Sequence, residues 1–276
     1  MSQHILVLGA TGKTGRRITD RLISGGHRVR PGSRSAAVPF DWADTATWDA
    51  VLAGVDAVYV SYHPDLAVPG SAEATGALAA AANRAGVARL VLLSGRGEPG
   101  AQAAEQAVRA AFPAATVVRA SWFNQNFSEG HLLQPVLDGT VALPVGDVPE
   151  PFVDTDDIAE IATAALVDRR HAGELHEVTG PRALTFAQAV AEIAEAAGRP
   201  VEFVQVSADE YLAAAADQVP ADTLWLLRHL FLEVLDGRNV HPTDGVARAL
   251  GRPPRDFADY VRETAATGVW SAVPVP

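Results

Sequence analysis

The N-terminal stretch reads Ile5-Leu6-Val7-Leu8-Gly9-Ala10-Thr11-Gly12-Lys13-Thr14-Gly15. Its apolar run predicts a short buried strand, and the glycines that follow predict a sharp turn into a helix. Such a turn suits a pyrophosphate, because the main chain can be approached closely and the helix start offers free N–H groups. The spacing is GxxGxxG rather than GxGxxG, so the motif alone leaves an ordinary glycine-rich turn as the alternative. Its position between a strand and a helix favours a dinucleotide-binding turn.

The composition excludes several classes of protein. At 276 residues the chain is long enough for one large α/β domain, or for a domain with a smaller lobe. The net charge of -11 argues against direct binding to nucleic acid or to an anionic membrane, which needs clustered cations. No cysteine is present, which excludes disulfides and thiolate chemistry. Neither a signal peptide nor a membrane span is expected, so we predict a cytoplasmic protein. As a separate prediction, its partner is a small-molecule substrate, and the chain is a monomer or homodimer.

Short segments that predict strands alternate with helical patterns along the first part of the chain. The predicted strands are 5–8, 27–30, 55–60, 87–94 and 116–119, with helices between them. This spacing indicates βαβ crossovers and therefore an α/β fold with a doubly wound parallel sheet. After residue 140 the pattern loosens and becomes mostly helical, with a further strand at 175–178.

The end of the second predicted strand indicates which dinucleotide is bound. NAD-binding folds usually carry an acidic residue there, which bonds the ribose hydroxyls. Here Pro31 and Gly32 are followed by Ser33 and Arg34, with Arg30 nearby. A guanidinium and a hydroxyl suit the 2′-phosphate of NADP, and we predict NADP rather than NAD. An arginine on a solvated loop without a ligand is the alternative.

Two further segments carry candidate binding or catalytic residues. Asp41 and Trp42 combine a carboxylate with an aromatic ring, as an adenine site would, although Trp42 also suits simple packing. Ser61, Tyr62 and His63 follow the third predicted strand, at the edge of the sheet where ligands of parallel sheets bind. For His63 the alternative is a loop histidine without a catalytic role.

The usual acid–base set of dehydrogenases with this kind of sheet is incomplete. That set combines a serine with a tyrosine and a lysine four residues apart, and the lysine lowers the pKa of the tyrosine. Ser94 stands at the expected serine position, but residues 95–105 contain neither tyrosine nor lysine. The single lysine of the chain is Lys13, in the glycine turn. The composition therefore excludes the ordinary Tyr–Lys mechanism.

The chain resembles the NmrA-like group of atypical short-chain dehydrogenases/reductases. The matching segments are Gly9-Ala10-Thr11-Gly12-Lys13-Thr14-Gly15, Ser33-Arg34, Leu92-Leu93-Ser94, Val118–Phe127 and Phe152–Ala159. The segments Phe40-Asp41-Trp42 and Gly251–Tyr260 are similar to the subgroup of festuclavine synthases and agroclavine dehydrogenases. Ala120 departs from the family pattern, which usually has proline after this arginine.

The resemblance implies two lobes and a set of cofactor contacts. Residues 1–155 would form an NADP(H)-binding Rossmann domain, joined by a strand near 174–180, and residues 156–276 a smaller, mostly helical substrate-binding lobe. Beside Asp41 and Trp42, the expected cofactor contacts are Gly9, Thr11, Gly12, Lys13, Thr14, Gly15, Ser33, Arg34, Ser61, Tyr62, Ser94, Trp122 and Phe123.

The resemblance also implies the reaction class. Members that lack the Tyr–Lys pair reduce quinones or an iminium, so we expect an NADPH-dependent reductase of an activated electrophile (quinone, iminium or conjugated carbonyl), in secondary metabolism. Such acceptors need positioning more than a strong protein acid. Where a proton donor is required we expect Tyr62 or His63, with Asn124 orienting the substrate. The alternative is a non-catalytic NADP sensor, as NmrA itself is. No metal site is predicted, because Asp154, Asp156 and Asp157 are explained by a helix start.

Overall fold

The computed structural model of the protein describes residues 2–217 and 219–271. Its strands are β1 (His4–Leu8), β2 (Arg28–Gly32), β3 (Ala57–Val60), β4 (Arg89–Gly95), β5 (Thr116–Ala120), β6 (Thr140–Leu143), β7 (Leu175–Val178) and β8 (Glu202–Gln205). Its α-helices are α1 (Lys13–Ser24), α2 (Trp48–Leu52), α3 (Ser71–Arg84), α4 (Pro99–Ala111), α5 (Asn126–Glu129), α6 (Leu133–Asp138), α7 (Thr155–Val167), α8 (Phe186–Ala197), α9 (Ala208–Ala216), α10 (Ala221–His229), α11 (Gly245–Leu250) and α12 (Phe257–Ala266). These strands and helices form two compact units.

The first unit contains a parallel sheet of six strands in the order β2-β1-β3-β4-β5-β7. Residues 2–120, 155–178 and 245–252 belong to this unit. The strand order reverses between β1 and β3, and ligands of doubly wound sheets bind outside the carboxyl ends of the strands at such a switch point. The predicted α/β fold class is confirmed, and the unit is Rossmann-like.

Burial of the central strands stabilises this sheet. All four residues of β3 and four of the five in β1 are buried, because helices cover both faces of the sheet. An apolar run without alternation is the pattern expected of such strands. The carboxyl ends of β1, β3 and β4 are thereby fixed beside one another, and the loops that leave them carry the candidate site residues.

The second unit comprises residues 121–154, 179–244 and 253–271. It contains the two-stranded parallel sheet of β6 and β8 together with α5, α6, α8, α9, α10 and α12. Its core is aromatic: the ring centroids of Phe127 and Phe152 lie 5.8 Å apart, and Phe186 and Phe257 pack on the same cluster. Helices dominate this unit, as the sequence predicts for the smaller lobe.

The predicted boundary at residue 155 does not coincide with the division into units. Residues 121–154 belong to the second unit, whereas α7, β7 and α11 belong to the first. The reason is pairing across long sequence separation: β7 extends the sheet beside β5, and Asp156 at the start of α7 pairs with Arg17 and Arg21 of α1. The strand expected near 174–180 is β7. Within the described ranges, no helix has the length and apolar character needed to cross a bilayer.

Candidate functional site

The glycine turn brings strand β1 and helix α1 into backbone contact. Gly9 follows β1 with a φ of 70°, in the left-handed region that favours glycine. A Cβ atom on Gly15 would lie 2.1 Å from the Gly9 carbonyl oxygen, closer than any side chain can approach. Only glycine therefore allows the first turn of α1 to pack directly on the end of β1.

The N-terminus of α1 has the features of a phosphate-binding helix start. Gly12 is the N-cap and makes no side-chain cap hydrogen bond, and the first turn contains no acidic residue. Tyr59 of β3 donates a hydrogen bond to the Thr14 hydroxyl (2.9 Å), which anchors this turn to the sheet. The Lys13 carbonyl oxygen accepts from Arg17, whereas Thr11 is exposed. The arrangement fits the pyrophosphate of a dinucleotide.

Ser61 follows β3 and lies next to the glycine turn. A Cβ atom on Gly9 would lie 3.5 Å from the Ser61 Cβ, so the loops that follow β1 and β3 are in van der Waals contact at the switch point. Tyr62 is half-buried, and burial raises its pKa, so its hydroxyl stays protonated at neutral pH. The His63 side chain is exposed.

The loop after β2 presents a hydroxyl and a guanidinium. The Ser33 hydroxyl lies 3.4 Å from that of Ser35, and the Ser33 carbonyl accepts from the N–H of Phe40 (3.0 Å). Arg34 is exposed. The carboxylate of Asp41 accepts from the N–H of Ala43 (3.0 Å) and so stabilises its own turn.

Trp42 takes part in an aromatic cluster of the first unit. Its ring centroid lies 4.7 Å from that of Tyr62 and 5.0 Å from that of Phe40. Trp42 therefore packs against aromatic side chains, as its alternative role in simple packing predicts. The predicted adenine contact of Asp41 and Trp42 stays a prediction.

Ser94 belongs to a polar network across the ends of β4, β5 and β7. Its hydroxyl donates to Glu105 of α4 (2.6 Å), and Ser94 and Glu105 are 4% and 5% exposed. Arg119 of β5 makes two hydrogen bonds to the same carboxylate, of 2.9 and 2.5 Å. In this arrangement the single hydroxyl proton of Ser94 is directed to Glu105, and the Ser94 oxygen keeps a lone pair that can accept from a ligand.

Glu177 of β7 extends this network outward. It accepts from Arg119 (3.1 Å) and from Arg96 (2.8 Å). Glu105 and Arg119 are members of this site that were not among the residues predicted from the sequence. A signal was present: Glu105 occupies the face of α4 that also carries Ala101, Ala104 and Val108, and a carboxylate on an apolar helical face predicts a buried partner.

The second unit holds the other predicted residues, Trp122, Phe123 and Asn124. Trp122 is half-buried, with its ring centroid 5.1 Å from that of Phe231 and 5.4 Å from that of Phe186. Asn124 is fully buried, yet its side-chain nitrogen and oxygen have no hydrogen-bond partner among the described residues. A buried amide without partners costs free energy, so it points to a ligand contact.

The acidic residues around residue 155 are engaged by arginines or amides. Asp156 pairs with Arg17 and Arg21 in the first unit, and Arg252 donates to Asp157 (2.8 Å). Asp154 accepts from the Gln125 amide (2.9 Å) in the second unit. Asp156 and Asp157 therefore neutralise arginines, in addition to lying in the first turn of α7.

Comparison with protein families gives two matches. The NAD(P)H-binding family matches residues 9–169, and the NmrA-like family matches residues 101–249. The first of these ranges includes the glycine turn, the Tyr62 loop and Ser94. The second includes Trp122 and Asn124.

Three relatives match over nearly their whole lengths. The uncharacterized oxidoreductase YesF of Bacillus subtilis is 34% identical, over 97% of this chain and 98% of the relative. The (4-alkanoyl-5-oxo-2,5-dihydrofuran-3-yl)methyl phosphate reductase of Streptomyces griseus is 32% identical, over 95% of this chain and 98% of the relative. Festuclavine dehydrogenase of Aspergillus fumigatus is 27% identical, over 94% of this chain and 97% of the relative.

Two solved structures illustrate the shared fold. A nucleoside-diphosphate-sugar epimerase from Staphylococcus aureus superimposes with a TM-score of 0.80 at 16% identity, over 95% of this chain and 100% of that one. The negative transcriptional regulator NmrA gives a TM-score of 0.71 at 20% identity, over 97% of this chain and 98% of that one. At these identities the likeness concerns the fold alone.

Proposed function

Because the chain belongs to the NmrA-like family of NAD(P)H-binding proteins and is an NAD(P)H-dependent oxidoreductase, we propose that it reduces an activated electrophile with NADPH. The electrophile is a quinone, an iminium ion or a conjugated carbonyl compound. The observation that carries this proposal is the Ser94 hydroxyl, whose proton is held by Glu105. With the Ser94 proton directed to Glu105, and with the only lysine at position 13, the acceptor must take up hydride without help from a strong protein acid.

The bound nicotinamide would supply the hydride, and the protein would supply binding and orientation. In this mechanism the α1 N-terminus binds the pyrophosphate, while Ser33 and Arg34 contact the 2′-phosphate. Trp122 and Phe123 hold the cofactor, and the buried amide of Asn124 binds the polar atom of the substrate. Tyr62, which stays protonated at neutral pH, donates a proton where the product needs one.

The names of the relatives support this range of acceptors. The Streptomyces griseus relative is named as a reductase of an oxo-dihydrofuran, which is a conjugated carbonyl compound. A clavine dehydrogenase is also among the relatives. Acceptors of both kinds take up hydride at an electron-poor carbon, so positioning beside the cofactor supplies most of the rate enhancement.

The proposal is tested by following NADPH oxidation by its absorbance, against quinones, cyclic imines and enones, with NADH in parallel. We expect turnover of at least one class, and preference for NADPH. Tight NADPH binding without turnover of any acceptor would contradict the reductase proposal and favour the non-catalytic sensor of the NmrA type.

The Tyr62→Phe substitution distinguishes between acceptor classes. Reduction of an iminium gives a neutral amine directly, whereas an enone or a quinone gives an anion that must take up a proton. Removing the hydroxyl should therefore lower kcat for enones or quinones and leave kcat for iminium ions unchanged. The expected decrease is about 100-fold, which is the smallest effect usually seen on removal of a general acid. The phenyl ring keeps the packing against Trp42.

His63→Ala is the companion variant, since His63 is the other predicted donor. Rates are measured by NADPH absorbance at several pH values. If neither variant slows the enone or quinone reaction, the proton comes from solvent and both assignments are wrong.

The Arg34→Ala substitution tests the choice of NADP. Loss of a charge-assisted contact to the 2′-phosphate should weaken NADPH binding by about 1–3 kcal/mol and leave NADH binding unchanged. Dissociation constants for both cofactors are measured by calorimetry. Arg28→Ala is the matched control, because Arg28 is also exposed but lies at the opposite end of β2. An equal loss for NADPH and NADH would mean that Arg34 does not contact the 2′-phosphate.

A further inference from the structure

Two buried histidines form a hydrogen-bonded pair at strand β7. The Nδ1 atom of His171 and the Nε2 atom of His176 lie 3.1 Å apart, and the ring centroids are separated by 5.1 Å. His171 is 8% exposed and His176 is 4% exposed. His176 belongs to β7, whereas His171 ends the short 3-10 helix Arg169–His171 that follows α7. The pair therefore joins β7 to the segment that precedes it.

Further contacts connect both histidines to strand β5. The Thr116 hydroxyl donates to the His171 carbonyl oxygen (2.6 Å), and His176 lies opposite Val118 in the parallel pairing of β5 and β7. β7 is the last strand in the order of the six-stranded sheet. Because an edge strand is held by a neighbouring strand on one side, side-chain contacts of this kind contribute to keeping it in the sheet.

The pair tolerates one added proton but not two. A neutral imidazole has one N–H donor and one lone pair, whereas an imidazolium has two donors. One charged ring therefore still donates to a neutral ring, but two charged rings present N–H groups to each other and repel. The Nδ1 atom of His176 has no hydrogen-bond partner among the described residues, so a charged His176 would also carry a buried donor without an acceptor.

The protein environment disfavours a charge on His176. Burial lowers the pKa of His176 to about 4, and the nearby His171 and Arg248 of α11 act in the same direction. Glu174, the residue before β7, acts in the opposite direction. Further charged side chains on the elements packed around the pair are Arg109 of α4, Arg119 of β5, Glu177 of β7, and Asp168, Arg169 and Arg170 at the short helix.

We propose that the His171–His176 pair is an acid-sensitive contact that keeps β7 in the sheet. The second proton breaks the contact, β7 separates from β5, and the Glu177 carboxylate leaves Arg96 and Arg119, to which it is bonded in the folded chain. His176 is thus a positioning residue for the Ser94 network, because Arg119 also binds the carboxylate that accepts from Ser94. The inference is independent of the proposed reductase activity, since it concerns contacts within the first unit.

The pH window follows from the pKa of His176 in the two states. In an opened strand His176 takes its ordinary pKa of 6.5, whereas burial lowers the pKa to about 4 in the closed strand. The closed state therefore binds fewer protons between these values, so its stability is complete above the ordinary pKa and falls as the pH decreases toward the lowered one. The opening equilibrium constant should rise by about tenfold per pH unit over this window.

The test compares the wild type with His176→Gln and His171→Asn. The glutamine amide takes the place of Nε2 and does not titrate, so its contact with His171 persists at every pH. The asparagine amide takes the place of Nδ1, and its oxygen accepts even from a charged His176. His241→Gln, at an exposed histidine of the second unit, is the matched control.

Hydrogen exchange of β7 and of β1, corrected for intrinsic rates, is measured from pH 4 to pH 7. The NMR signal of the Arg96 Nε–H group, which donates to Glu177, is followed over the same range. In the wild type and in His241→Gln, we expect exchange of β7 and of this group to increase by about tenfold per pH unit in acid, while β1 stays protected. Both should stay constant in His176→Gln, and the increase should be smaller in His171→Asn.

Parallel profiles for the wild type and His176→Gln would overturn the proposal. Loss of protection in β1 to the same extent as in β7 would overturn the local contact, because the pair would then stabilise the whole unit. Faster exchange of β7 with an unchanged Arg96 signal would overturn the positioning role. Absence of turnover with every acceptor would count against the proposed reductase alone, because these measurements use no acceptor.

Discussion

The Gly15→Ala variant is expected to lose dinucleotide binding and to unfold more easily, by roughly 3 kcal/mol, the upper range for overpacking. The Cβ atom would lie 2.1 Å from the Gly9 carbonyl oxygen and 2.7 Å from its carbonyl carbon. Both are backbone atoms at the end of a buried strand, so no side-chain rotation relieves the overlap. Helix α1 must move away from β1, which displaces the N–H groups proposed to bind the pyrophosphate.

Gly12→Ala is the matched control for this prediction. Residue 12 has an ordinary φ of -74°, and a Cβ atom there would lie 3.3 Å from the same carbonyl oxygen. A shift of a few tenths of an ångström accommodates that contact, so the melting temperature should change little. Calorimetric NADPH titration and thermal unfolding are measured for both variants. Equal stability and equal NADPH affinity of Gly15→Ala and the wild type would mean that the close backbone approach is not required.

The sheet could be predicted because its determinants are local. Apart from β2, which reads Arg28-Val29-Arg30-Pro31-Gly32, each strand in the first half lies in a short, mainly apolar run, and the crossover helices follow within the spacing of a βαβ unit. The run from Ile5 to Leu8 became β1, and the glycines after it form the tight turn expected of them. Local sequence is sufficient to predict these strands and turns, because the hydrophobic pattern and the turn residues can be recognised without knowing which distant segment packs against them.

The division into units could not be predicted because it depends on long-range pairing. The residues of Leu175–Val178 do not themselves indicate pairing with β5, and a strand near 174–180 was expected in the Rossmann domain only from the family resemblance. Gly245 shows the same limit: a Cβ atom there would lie 1.9 Å from the Glu177 carbonyl oxygen, so residues 245–252 return to the first unit through one close backbone contact. A single glycine in a sequence does not reveal which strand it approaches.

The candidate site was predictable in part for the same reason. The motif indicated Gly9 and Gly15 directly, whereas the partner of Ser94 comes from a different element, α4. The carboxyl group of Glu105 looks like a solvated charge in the sequence. Its burial becomes visible only when the strands that carry its partners, β4 and β5, are adjacent.

Glu105→Ala should lower the free energy of unfolding by about 2–4 kcal/mol, near the range for breaking a buried ion pair. The substitution leaves the Ser94 hydroxyl without its acceptor and removes two hydrogen bonds from Arg119, whose side chain is only 18% exposed. Denaturant unfolding at neutral pH measures the loss. Glu105→Gln removes the negative charge but keeps the shape of the side chain. Its side-chain oxygen still accepts from Ser94, whereas only one of the two hydrogen bonds from Arg119 remains.

The control for this prediction is Glu177→Ala, which removes the other carboxylate bound to Arg119. Its side chain is 30% exposed, so solvent screens the pair and the expected loss is about 1 kcal/mol or less. The difference between the two variants therefore measures what burial adds to the same arginine–carboxylate contact. If both cost the same, burial adds nothing to the contact between Arg119 and its carboxylates, and the network behaves as a surface ion-pair cluster. If Glu105→Ala alone is costly, the buried pair with Arg119 holds the Glu105 carboxylate in place to accept the Ser94 proton.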